Sequence, residues 1–125
     1  MKKIPRISEA EWQVMRVLWA KAPLTANDIV ETLGETPWSP STVKTLINRL
    51  VKKGALGFDK DGRVYHYYPL VQEAECARAE SRSFLRRVFG GAVTPMLAAI
   101  IEDEDLTPEQ IAELRRILDE KKRRG

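Results

Sequence analysis

Ser41, Lys44, Thr45, Asn48, Arg49 and Lys52 are spaced to share one face of a helix. Together they carry hydroxyls, an amide and three cations, with no carboxylate among them. Cations bind phosphate oxygens, and hydroxyls, amides and cations all pair with base edges. A helix with such a face fits the major groove of duplex DNA. An ordinary surface helix mixes both charge signs, so the missing acids favour nucleic acid, while a merely solvated face is the plain alternative.

The element that must hold these side chains is marked at both ends. Ser39 is placed to cap it, Pro40 suits a first helical position where no N–H is needed, and Gly54 supplies a left-handed turn past the end. Val43, Leu46, Ile47, Leu50 and Val51 recur at i, i+3, i+4, i+7 and i+8, an apolar stripe on the opposite side. Upstream, Ser8 with Glu11 forms a capping-box signal. The helix it opens sets Trp12, Met15, Leu18 and Trp19 on one face and stops at Ala22–Pro23. Thr25 starts a second helix with Asp28 in its first turn; Ile29, Val30 and Leu33 give its apolar face and Gly34 closes it. The second helix, the turn after Gly34 and the donor-rich helix make a helix-turn-helix. After Gly54 the period changes: residues 55–59 and 63–68 read as strands, with a tight turn over 59–62. A hairpin in that place is a wing, and it brings Lys60 and Arg63 beside the third helix.

From about Val71 the pattern is helical again. Ala74, Ala77, Ser81, Phe84, Leu85 and Val88 make one face, Gly90-Gly91 interrupts it, and Val93, Met96, Leu97, Ile100 and Ile101 make a second. Thr107-Pro-Glu-Gln110 opens a last helix with Ile111, Leu114 and Leu118 on its stripe and Lys121–Arg124 at its negative dipole end. These stripes carry more apolar surface than about 55 residues hide alone, so a second copy of the chain is the expected cover. A two-fold dimer sets two donor-rich helices for successive DNA turns, which predicts a palindromic site. The expected fold is mainly α: a winged helix-turn-helix domain with a small β-hairpin wing over residues 1–70, then a C-terminal three-helix dimerisation domain over 71–125.

Charge agrees with that division. The net charge is +3, but residues 1–70 hold eleven Lys/Arg against seven Asp/Glu, whereas residues 71–125 hold ten against eleven. The basic excess travels with the donor-rich helix. Cys76 and His66 are each the only residue of their kind, so neither an internal disulfide nor a closed zinc site within one chain is expected, and no cofactor is called for. No apolar run is long enough to span a bilayer, and no signal-peptide core follows Lys2 and Lys3, so the expected location is the cytoplasm, away from membranes.

Several segments then resemble one family. The opening Lys-Lys-Ile-Pro-Arg-Ile-Ser-Glu-Ala-Glu-Trp-Gln-Val-Met, Trp38-Ser-Pro-Ser-Thr-Val-Lys-Thr, Arg49-Leu-Val-Lys-Lys-Gly-Ala, Gly62-Arg-Val-Tyr-His-Tyr, Ser83-Phe-Leu and the run from Asp105 to Leu114 are similar, in one register, to the penicillinase repressor (BlaI/MecI/CopY-like) family of winged-helix transcriptional repressors. The resemblance implies a homodimer that represses by covering a palindromic promoter. In the β-lactam-responsive members it also implies release through a sensor-activated protease that cuts an Asn–Phe bond in the middle helix of the dimerisation domain. The corresponding pair here is Ala99 and Ile100, and neither matches. The copper-responsive branch has a cysteine-rich tail; residues 119–125 contain no cysteine, so copper sensing is not expected.

The expected DNA contacts are Ser41, Thr42, Lys44, Thr45 and Asn48 at base edges, with Arg49, Lys52, Lys53, Lys60 and Arg63 at phosphates or grooves. Thr25 and Asn27 are expected to turn the second helix's N-terminus to a phosphate. The dimer face is expected from Phe84, Leu85, Val88, Val93, Met96, Leu97, Ile100, Ile101, Ile111, Leu114 and Leu118. Two other readings compete. A winged helix also serves as a protein-interaction module without DNA, and steep weakening of binding by salt separates the two. An enzyme lacks support: the sequence offers no His-paired nucleophile, Gly-rich phosphate loop or metal-ligand cluster.

Overall fold

The computed structural model describes residues 3–125, so Lys2 of the opening motif lies outside the described residues. The chain forms two compact units, residues 1–82 and 83–125.

Three helices and a hairpin build the first unit: α1 (Glu9–Ala20), α2 (Ala26–Thr32), α3 (Pro40–Lys53), β1 (Leu56–Asp61) and β2 (Val64–Pro69). Each helix starts where its cap demands. The Ser8 and Thr25 side chains close capping boxes with Glu11 and Asp28, and Ser39 Oγ accepts from the Thr42 amide ahead of Pro40. Gly54 ends α3 at φ 83°, a left-handed conformation that a side chain resists. Gly54→Ala should therefore cost about 1–2 kcal/mol in thermal or urea unfolding while leaving the assembled fold intact.

The apolar stripes meet in one core. Val14, Met15 and Leu18 of α1 pack with Ile29 of α2, with Val43, Leu46, Ile47 and Leu50 of α3, and with Leu56 of β1. Trp12 and Trp19 are half-buried against this core in an edge-to-face pair at 5.5 Å, and Trp19 Nε1 donates to the Val71 carbonyl at 2.9 Å.

The strands are antiparallel and reach further than the sequence suggested. Asp61 pairs with Val64, so Lys60 and Asp61 belong to β1 and only Gly62-Arg63 form the loop. Gly62 has φ 63° and no other residue type has positive φ among the described residues, the arrangement of a type II′ turn. The bridge between Leu24 and Tyr67 ties the hairpin to the segment before α2.

α4 (Glu73–Phe89) leads out of the first unit; α5 (Val93–Asp103) and α6 (Pro108–Arg124) follow. Sequence alone put the division at residues 70/71. The first compact unit instead runs to Arg82, because Val71 and Cys76 are buried in its core. Cys76 is a small packing residue there.

The second unit is built differently. Thr107 and Gln110 form the capping box that opens α6, but no described residue of α5 or α6 is buried. Val88, Val93, Leu97, Ile100, Ile101, Ile111, Leu114 and Leu118 are all exposed. Among the described residues, no single helix is long and apolar enough to cross a membrane.

Candidate nucleic-acid interface

α3 docks on the core by one side only, and this decides what the other side presents. Val43, Leu46, Ile47 and Leu50 are buried, whereas Ser41, Thr42, Lys44, Thr45, Asn48, Arg49 and Lys52 are exposed. Two of the hydroxyls are partly committed. Thr45 Oγ1 donates to the Ser41 carbonyl at 3.0 Å, which leaves its lone pairs and methyl outward. Thr42 Oγ1 lies 3.0 Å from Ser39 Oγ at the cap. Lys44, Asn48, Arg49 and Lys52 form no ion pair or side-chain hydrogen bond among the described residues.

The wing completes this surface. A cleft of about 490 Å³ lies between α2, α3 and the hairpin, and Thr25, Asn27, Lys44, Lys60, Arg63 and Tyr65 line it. Three cations from two separate elements thus converge on one concavity, a geometry that suits a phosphate oxygen. One of these cations sits beside an aromatic pair: Phe58 and Tyr65 stack at 4.7 Å with rings 2° apart, and Lys60 Nζ sits 5.7 Å from the Tyr65 ring centroid.

Tyr65 and Phe58 were missed by sequence reasoning, which read residues 55–59 and 63–68 only as strands. Strand alternation held the signal, since residues 63, 65 and 67 share one face and Tyr65 therefore accompanies Arg63. Its phenol adds a hydrogen-bond donor to the cleft.

Two expected DNA-facing residues look different in place. Thr25 is occupied at home: its hydroxyl accepts from the Asp28 amide at 3.2 Å, and its own amide donates to Asp28 Oδ2 at 3.0 Å. Those bonds to Thr25 hold the Asp28 carboxyl below its usual range, so a negative charge stands at the start of α2. Asn27, exposed and on the cleft wall, is the freer of the two.

Lys53 is the clearer correction. Its ammonium donates to the Arg6 carbonyl at 2.9 Å and pairs with Glu11 Oε1 at 2.5 Å. Lys53 lies seven residues after Leu46 and three after Leu50, which sets it beside the apolar stripe at the edge of the donor-rich face, its side chain still 34% exposed but committed to Glu11 and Arg6.

Glu11 itself is a buried carboxylate, 1% exposed. Burial raises its pKa, but hydrogen bonds from Lys53 and from Ser8 outweigh that and hold it below its ordinary value of 4.5. Glu11 Oε2 is buried without a hydrogen-bond partner. The carboxylate thus serves as both capping-box acceptor for α1 and anchor for the last turn of α3.

A helix-turn-helix whose outer helix turns only donors and cations to solvent, with a basic wing beside it, is the build of a winged-helix DNA-binding transcription regulator. The chain belongs to the penicillinase repressor family, whose model matches residues 7–120. That is a family of transcriptional repressors, not of enzymes. The chain is 42% identical over 125 residues to the penicillinase repressor of Bacillus licheniformis, covering 99% of this chain and 98% of that one. It is 40% identical over 120 residues to the methicillin resistance regulatory protein MecI of Staphylococcus aureus strain N315, covering 95% and 98%. Among solved structures it is similar to the Bacillus licheniformis BlaI monomeric form in complex with the blaP half-operator, with TM-score 0.52 and 46% identity over 60% of this chain and 93% of that chain.

Proposed function

We propose that this protein represses transcription as a homodimer on a palindromic operator, each subunit laying α3 in the major groove of one half-site. The acid-free outer face of α3, continued by the wing cations around one cleft, carries this reading. Ser41, Thr42, Lys44, Thr45 and Asn48 face the bases. Arg49, Lys52, Lys60 and Arg63 hold phosphates, with Asn27 at the edge, and Thr25 serves α2 as its cap. Residues 1–82 carry the DNA-binding face and residues 83–125 the dimer face.

The second copy is argued from the second unit's own surface. Phe84, Val88, Val93, Leu97, Ile100, Ile101, Ile111, Leu114 and Leu118 are exposed, with Leu85 and Met96 half-exposed between them. Ile117, absent from the expected set, is 46% exposed and extends the α6 patch. Open apolar surface of this extent belongs to an interface, and a two-fold copy is the partner whose symmetry matches a palindrome.

Relatives named for penicillinase and methicillin resistance suggest promoters of β-lactam-resistance or related genes. Release would follow proteolysis of α5, where Ala99 and Ile100 are both exposed. Because this pair is not Asn–Phe, the sensor-activated protease would need a different side-chain preference. Site of action and partner coincide: duplex DNA in the cytoplasm.

Footprinting on the DNA upstream of the protein's own gene, with solution mass measured alongside, tests the reading; a protected palindrome and a dimer mass are expected. Lys44→Ala and Thr45→Ala should each lower the preference for operator over a scrambled duplex by about 1–3 kcal/mol. An unchanged ratio removes that residue from base readout. Binding that does not weaken as salt rises would instead favour the protein-interaction module.

A further inference from the structure

We propose that the N-terminal arm, residues 3–7, is a second phosphate-binding surface, presented to DNA by a tether from the last turn of α3. This rests on the operator-binding reading and adds to it a DNA-facing surface outside the helix-turn-helix and wing.

The arm is pinned at two points. Ile4 packs against the core and Ile7 is buried, while Lys3 before them and Arg6 between them are exposed. Neither cation has an ion-pair partner among the described residues. Two apolar pins therefore hold a strip of chain whose charged side chains are spare.

What fixes the strip in place is Lys53. Its ammonium bonds the Arg6 carbonyl and the Glu11 carboxylate together, and Glu11 Oε1 also accepts from the Ser8 amide at 2.8 Å. The arm, the start of α1 and the last turn of α3 meet at one buried carboxylate. That last turn also carries Lys52 outward, with Arg49 one turn back.

The Arg6 carbonyl is bonded to the last turn of α3, so Lys3 and Arg6 stand on chain fixed to the C-terminal end of that helix, whereas Lys60 and Arg63 share a cleft with Lys44 nearer its start. A fourteen-residue helix is about 21 Å long, more than the roughly 12 Å width of the major groove, so both its ends come up against phosphates. The wing serves one end and the arm the other. Lys53, the one cation of α3 with an ion-pair partner among the described residues, is a positioning residue: it holds other cations in reach and does not itself meet DNA.

The test is the slope of log affinity against log salt for the full chain on operator duplex. Lys3→Ala/Arg6→Ala should make that slope shallower by about 3.6, near 0.9 for each of the four phosphates that two subunits no longer neutralise, with an unchanged melting temperature. Arg115→Ala/Lys122→Ala removes the same charge from the second unit and should leave the slope as it is. Equal slopes for wild type and Lys3→Ala/Arg6→Ala, or an equal change in the control, would overturn the arm's role.

Glu11→Gln/Lys53→Met breaks the tether without stranding a buried charge. It should reproduce the shallower slope of Lys3→Ala/Arg6→Ala, and the quadruple variant should be no shallower still. A further drop in the quadruple would mean that Lys53 touches DNA itself and would overturn the tether. A wild-type slope near zero would sink the operator reading as a whole, an outcome distinct from failure of the arm alone.

Discussion

Leu97→Asp is expected to yield a monomer that binds a full palindromic operator at least about a hundredfold more weakly than the wild type, with binding to an isolated half-site unchanged. Leu97 is 43% exposed on α5, within reach of the apolar residues Val93, Ile100 and Ile101 along the same helix. A carboxylate there must be desolvated for a second copy to close over it, which is strongly unfavourable without a partner. Helix propensity on α5 changes by only a few tenths of a kcal/mol, so the helix itself should survive. The half-site control isolates the cause. α3 and the wing lie in the first unit, and linkage of two half-sites contributes about 10²–10⁴ in affinity without any new interaction. Sedimentation velocity with fluorescence anisotropy on full and half operators checks both parts. A Leu97→Asp protein with dimer mass and full affinity would move the interface away from these stripes.

The physical reason why so much was legible in the sequence is that the deciding signals are local. Ser8/Glu11, Thr25/Asp28 and Thr107/Gln110 close their capping boxes within one turn, and Gly54 meets a steric demand that other residues resist. The stripe from Val43 to Leu50 predicts which face of α3 is buried, and with it the outward set. Four features escaped because they depend on pairing across the chain. The strands' true ends follow from the register Asp61↔Val64, which places Lys60 in β1 and not in the turn. Tyr65 gains its position from stacking on Phe58 across the hairpin. Lys53 was grouped with Lys52 by charge, although their helical angles differ by about 100° and Glu11, forty-two residues away, claims it. The boundary at Arg82 likewise depends on Val71 and Cys76 packing back into the first core, which the return of a helical pattern at about Val71 does not reveal.

Glu11 and Lys53 also predict a large stability effect with a definite pH dependence. Lys53→Met leaves Glu11 buried and unpaired, and removing one partner from a buried pair costs about 3–5 kcal/mol. Because the Lys53 side chain is 34% exposed while Glu11 is 1% exposed, solvent screens part of the attraction and the lower end, about 3 kcal/mol, is expected. Glu11→Met/Lys53→Met, which removes both charges, should recover most of that loss, since an apolar pair of similar volume replaces a buried ion pair at little cost. The sign of the pH effect follows from the direction of the shift. In the wild type the folded-state pKa of Glu11 lies below its ordinary 4.5, so its stabilisation is fully present above the unfolded value and is lost as pH falls through the folded one. Without Lys53, burial is opposed only by the Ser8 bonds, and protonation then relieves the stranded charge. The gap in melting temperature between wild type and Lys53→Met should therefore be widest near neutrality and narrow as pH falls below about 4.5. A gap that stays constant into acid would show that Lys53 contributes through its packed methylenes and not through the charge on Glu11.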